Sequence, residues 1–172
     1  MIQVRATKYD PGNRDVFGHY AVDEYTSVSD IGSSFDGKIL TTQEYLTIED
    51  AYVATVRRLL TLSNVGYLYV TDLENWHRDT TTLRHVEFLR PSKLSALHDG
   101  LVVRGGDIDR LVRSVLRELV WCRLAGPHGL YVHFGYDYYM YLGYNNLDAM
   151  GPVPPGMYYE YFHPSPYVLE DE

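Results

Sequence analysis

The chain holds a single cysteine, Cys122, in 172 residues. No internal disulfide can form, which suits a reducing compartment and excludes both a disulfide scaffold and a cysteine-based zinc finger. Long apolar runs are also lacking. No segment approaches the roughly 20 apolar residues that a membrane helix needs, and the opening "MIQVRATKYD" carries no apolar signal region. The expectation is a cytoplasmic protein. Positive charge is missing from a whole region: after Arg123 there is no lysine or arginine, whereas Asp137, Asp148, Glu160, Glu170, Asp171 and Glu172 all lie there. Most of the formal net charge of −8 therefore sits in the C-terminal third, and nucleic acid is an unsuitable partner. A basic protein partner is compatible with that charge.

The usual marks of catalysis are lacking too. None of the seven histidines forms the close helical pair of a zinc protease. His128 and His133, five apart, read as ordinary surface or sheet histidines, so no metal is expected. No serine sits in a nucleophile-elbow motif. Cys122, between Trp121 and Arg123, reads as a packing residue near the end of a helix. "VVRGGDID" is glycine-rich before a helix but lacks the phosphate-loop lysine, and Asp107 would repel a phosphate. Neighbouring acids such as Asp23-Glu24 and Glu49-Asp50 are adjacent only in sequence, which says little about acid–base work. The chain reads as a non-enzyme without a cofactor.

What is abundant is tyrosine, 17 in all, of which six fall in "GLYVHFGYDYYMYLGYNN", Gly129 to Asn146. Leu130, Val132 and Phe134 alternate with Tyr131 and His133; after Gly135-Tyr136-Asp137, Tyr138, Met140 and Leu142 alternate with Tyr139 and Tyr141. That pattern predicts a β-hairpin over 130–144, aliphatic on one face and a Tyr/His ladder on the other. Cross-strand aromatic pairs stabilise a sheet by roughly 0.2–1 kcal/mol each.

Elsewhere, Ile2 to Tyr9 and Val65 to Leu73 read as strands. Thr41 with Glu44 makes a capping box, and Tyr45, Ile48, Tyr52, Val56, Leu59 and Leu60 recur at helical spacing, predicting a helix over 42–63. Ile108, Leu111, Val112, Val115, Leu116, Leu119 and Val120 form the apolar face of a second helix over 107–124. Asp107 would cap it, Gly126-Pro127 would end it, and Arg110, Arg113 and Arg117 would lie along one polar edge. That edge reads as a solvated face or as partners for the acidic segment. Leu83 to Leu89 and Leu101 to Val103 read as short strands, and Met157 to Phe162 as a short strand or a segment lying across the sheet. The stretch from His19 to Leu40, with β-formers from Tyr20 to Val28 and Gly32 and Gly37 as breakers, reads as a short strand or ordered loop that brings Asp23, Glu24 and Asp30 to the surface. The whole is expected to be one α+β domain over 1–172, with an antiparallel or mixed sheet and two main helices.

The segments "DEYTSVSDIG", "LTTQEYLTIEDAYV" and "VHFGYDYYMYLGY" resemble a group of small, largely uncharacterised bacterial proteins. In size, acidity and lack of catalytic residues the chain resembles in type the immunity proteins of polymorphic-toxin systems, including contact-dependent inhibition. That resemblance implies a cytoplasmic protein that binds one toxin domain and blocks it. It carries over no site residue. Acidity and aromatic anchors together suit a basic partner, since charge speeds encounter and aromatics slow release. The expected binding residues are Tyr131, His133, Asp137, Tyr139 and Tyr141 of the hairpin, with Asp23, Glu24 and Asp30. Two other readings stand beside this one: a small-molecule-binding regulatory or enzymatic domain that uses the Tyr/His sheet face as a pocket wall, and a tyrosine face that is simply sheet covered by a helix.

Overall fold

The structure is a computed structural model that describes residues 1–75 and 96–168. The expected strand at Leu83 to Leu89 and the acidic Glu170 to Glu172 lie outside them. Among the described residues, seven strands form one antiparallel sheet in the order β5-β4-β6-β7-β8-β1-β9. These are β1 Ile2–Thr7, β4 Tyr67–Asn75, β5 Val102–Arg104, β6 Val120–Ala125, β7 Tyr131–Phe134, β8 Tyr139–Tyr144 and β9 Tyr158–Tyr161. A separate two-stranded ribbon joins β2 Ser34–Phe35 to β3 Lys38–Ile39. The two α-helices of the described residues, α1 Thr42–Ser63 and α2 Gly106–Leu116, pack against one another and share one buried cluster with the sheet. The α+β expectation holds. No helix among the described residues is long and apolar enough to cross a membrane.

The first helix begins and ends where local chemistry dictates. The Thr41 hydroxyl accepts from the Glu44 amide at 3.2 Å, and the Glu44 carboxylate accepts from the Thr41 amide at 2.9 Å. Asn64 closes the helix at φ +54°, a left-handed conformation that asparagine tolerates. Its buried face includes Tyr45, Tyr52, Val56 and Leu59.

The second helix is shorter than the spacing predicts, and this is the main correction to the fold. It stops at Leu116, and residues expected to extend it become β6. Two periods compete in "LVWCRLA". Val120, Cys122 and Leu124 are buried while Trp121, Arg123 and Ala125 are partly exposed, so the period of two wins. The switch is made by a Schellman ending: the Leu119 amide donates to the Ser114 carbonyl at 3.0 Å and the Glu118 amide to Val115 at 2.9 Å, with Glu118 at φ +57°. Nor does Asp107 cap the helix. Gly105 is the N-cap and makes no side-chain bond; Asp107 pairs with Arg110 instead.

The central strands send alternate residues into the core shared with the helices. Val4 and Ala6 of β1, Val132 and Phe134 of β7, and Met140 and Leu142 of β8 are buried there. The opposite face carries a cross-strand row, Thr71, Arg123, His133, Tyr141, Arg5 and Glu160, fixed by the pairing register.

Candidate functional site: the tyrosine hairpin and its tip

The hairpin forms as its pattern predicts, with Phe134 paired to Met140 and Tyr131 paired to Gly143. Gly143 is required by close approach, because a Cβ there would lie 2.0 Å from the Tyr131 ring. The aliphatic face is buried. The Tyr/His face is closed more than expected. Tyr131, Tyr139 and Tyr141 are partly exposed, but His133 is only 8% exposed, which corrects its expected place on an open surface. Its ring stacks on Tyr131 with centroids 4.6 Å apart, and its Nδ1 lies 2.8 Å from the Ser165 hydroxyl. Ser165 is fully buried, and Tyr167 lies edge-on to both His133 and Trp121. The C-terminal segment thus covers one side of the ladder. Burial, and then the nearby Arg123 charge, push the His133 imidazole down to about 4, against a smaller opposing pull from Asp72. It is a neutral structural ring at neutral pH.

The other side of the ladder is held by ions. The Arg5 guanidinium donates to Glu160 at 2.8 and 3.1 Å and lies 5.0 Å from the Tyr139 ring centre; Arg14 donates to both oxygens of the same carboxylate. Burial alone would raise the Glu160 carboxyl, yet hydrogen bonds from Arg14 and Arg5 outweigh it and hold the group at about 2.

The three outlying acids separate. Asp23 is exposed as expected. Glu24 is partly buried; it accepts from the Lys8 ammonium at 2.9 Å and from the Tyr20 hydroxyl at 2.5 Å. Asp30 accepts from the amides of Thr26 and Ser27 at 2.9 and 3.0 Å, closing a capping box on a short 3-10 turn. Those two carboxylates hold the fold. Lys8 was missed, although it falls in phase with Ile2, Val4 and Ala6 and so points inward. Its ammonium lies 3.9 Å from the Tyr9 ring centre and 3.8 Å from that of Tyr25. Burial, set against pairing with Glu24, lowers its pKa.

Cys122 is fully buried in β6, and burial, with the Asp99 charge, pushes its thiol up to about 12, which favours the protonated thiol. No group of three His, Cys, Asp or Glu side chains able to hold a metal occurs among the described residues.

What remains open is the hairpin tip. Tyr136 is 80% exposed and Asp137 is exposed beside it. The Tyr139 amide donates to the Tyr136 carbonyl at 3.1 Å, and both central residues have positive φ, +53° at Asp137 and +60° at Tyr138. This is the pattern of a primed hairpin turn, where Asn-Gly is usual. Tyrosine in place of glycine costs about 1 kcal/mol of backbone strain. The Tyr138 ring offsets it by burying against Tyr25, Tyr45 and Tyr52, with centroids 5.5 to 6.4 Å apart. Beside the tip runs a cleft of about 470 Å³. Its charged lining among the described residues consists of Glu118 and Asp137, and its aromatic walls include Trp121, Tyr136 and Tyr139. No protein-family model, curated protein or solved structure matches the chain.

Proposed function

We propose that the chain is a non-enzymatic binding protein that inhibits a basic protein partner, acting as the immunity proteins of polymorphic-toxin systems act on their cognate toxin domains. The observation that carries this reading is the hairpin tip: a nearly fully exposed tyrosine next to an exposed aspartate, at the mouth of an aromatic cleft with acidic lining. Exposed aromatics of this kind are the residues that dominate binding energy when a partner covers them. A net charge of −8 favours encounter with a basic partner. The binding residues are then centred on Tyr136 and Asp137, with Tyr139 and Tyr141 behind them and His133 acting only as support.

The test is co-expression of this chain with the C-terminal domain of a large secreted protein encoded next to its gene. Survival of cells that the domain otherwise kills, together with a direct complex in titration calorimetry, is the expected result. A neighbourhood of metabolic genes, or a toxin domain that neither binds nor is neutralised, overturns the reading.

A further inference from the structure

We propose that the outer edge of β9 pairs with the same edge of a second copy of the chain, joining two sheets into one across a two-fold axis at Glu160. This surface is separate from the hairpin tip and does not depend on the binding reading above.

The backbone makes the first argument. β9 ends the sheet, with β1 on its inner side. The Phe162 amide donates to the Gln3 carbonyl at 2.9 Å. Hydrogen-bonded and non-hydrogen-bonded pairs alternate along an antiparallel ladder. Glu160 and Tyr158 therefore turn their amides and carbonyls toward β1, and Tyr159 and Tyr161 turn theirs away. Among the described residues nothing bonds to those outward groups. They call for an extended backbone as the occupant.

Register makes the second argument, and it selects a second copy. With the axis at Glu160, Tyr159 faces Tyr161 of the other chain and Tyr161 faces its Tyr159. Each such pair exchanges both hydrogen bonds, so every outward group is satisfied. Shifted registers do worse. The Met157 amide is already given to the Pro154 carbonyl at 3.1 Å, and Phe162, at φ +64°, leaves the extended path. The edge is thus complementary to itself over this length and no further. It also lacks the devices that keep natural edges apart, since no lysine, proline or bulge interrupts Tyr158–Tyr161. Its one charge, Glu160, is held by Arg5 and Arg14. The two carboxylates that meet at the axis bring these guanidinium groups with them, which offsets their mutual repulsion.

Exposed apolar surface makes the third. Phe162 is 91% exposed, in a backbone conformation that a bulky side chain disfavours. The register centred on Glu160 sets it opposite Tyr158 of the second copy, in a non-hydrogen-bonded pair, where side chains approach most closely. The loop that Arg14 anchors on Glu160 adds Val16 and Phe17, both almost fully exposed. Asp15 fixes that loop by accepting from the Phe17 and His19 amides at 2.9 Å each. So short an edge covers less than a standard interface, and the dimer should be weak and concentration-dependent.

The experiment is sedimentation equilibrium of the full chain up to about 500 µM, where a monomer–dimer equilibrium with a Kd of about 10–100 µM is expected. Phe162→Gly relieves the left-handed backbone. Its melting temperature should match or exceed that of wild type while the dimer weakens at least about ten-fold. Tyr161→Pro removes an outward amide and no bond to β1, and should abolish the dimer. Tyr161→Phe loses only the hydroxyl that accepts from the Met150 amide, and should keep it. Amide hydrogen exchange locates the contact: protection at Tyr159 and Tyr161 should rise with protein concentration. A chain that stays monomeric at about 500 µM overturns the proposal. So does a dimer that Tyr161→Pro and Phe162→Gly leave intact, or one whose newly protected amides lie elsewhere.

Discussion

Glu49 of α1 and Arg117, at the end of α2, meet through two hydrogen bonds of 2.5 Å each while only 2% and 3% exposed. Arg113 adds a third bond to the same carboxylate at 2.6 Å. Two-thirds of the arginine edge predicted for the second helix is therefore turned onto the first helix, with Arg113 also reaching Asp50. The ion network locks the two helices where the α2-to-β6 reversal must occur.

Removing one member should be severe. Glu49→Ala leaves buried guanidinium charge behind, and a loss of about 3–5 kcal/mol is expected in urea unfolding. The double change Glu49→Leu with Arg117→Met should recover much of that loss. A single variant within about 1 kcal/mol of wild type contradicts the burial of the pair.

Lys8 and Glu24 make an asymmetric pair. Lys8→Met keeps the stem packed under Tyr9 and Tyr25 and removes a charge that burial disfavours, so stability should change by less than about 1 kcal/mol. Glu24→Ala strips the ammonium of its carboxylate partner and should destabilise more than Lys8→Met does. Thermal melts of both variants decide it; the reverse order refutes the inward placement of Lys8.

These pairs show what a linear reading reaches. Thr41, Glu44 and the apolar spacing after them define α1 by contacts within a few residues, and the hairpin is defined by its own alternation. The end of α2 was ambiguous because "LRELVWCRLA" satisfies both periods, and the choice is made by distant partners: Val120, Cys122 and Leu124 find places between β4 and β7. The position of β1 between β8 and β9 is likewise non-local. Of the site, the exposed Asp137 was legible as a turn residue. The burial of His133 was not, since its cover comes from Ser165 and Tyr167, more than thirty residues later in the chain.

Acid should act in two stages. His133 titrates at about 4 in the fold against an ordinary 6.5, so the fold prefers its neutral form. Its contribution is present above pH 6.5 and is lost as pH falls toward 4, at no more than about 1.4 kcal/mol per pH unit. Glu160, held at about 2 against an ordinary 4.5, contributes above 4.5 and is lost as pH falls toward 2. In His133→Asn the decline between pH 6.5 and 4.5 should flatten, measured by denaturant midpoints across that range. An unchanged slope removes His133 as its source.

The half-buried tyrosines should report on the fold first. Tyr139 packs 5.5 Å from the Tyr9 ring centre and under Arg5, so Tyr139→Ala should lower the melting temperature by several degrees. Tyr136→Ala, at the exposed tip, should leave it within about a degree of wild type. A stable Tyr139→Ala protein would show that the ladder contributes nothing to the core.

The most direct test of the binding account is the affinity of Tyr136→Ala for the protein partner, measured by titration calorimetry beside its melting temperature. The account predicts an unchanged melt and a loss of about 2 kcal/mol, roughly 30-fold in Kd. Asp137→Asn should chiefly slow association and flatten its salt dependence. Full affinity in Tyr136→Ala, with the partner bound as tightly as by the wild-type chain, would contradict the claim that this tip is the binding surface.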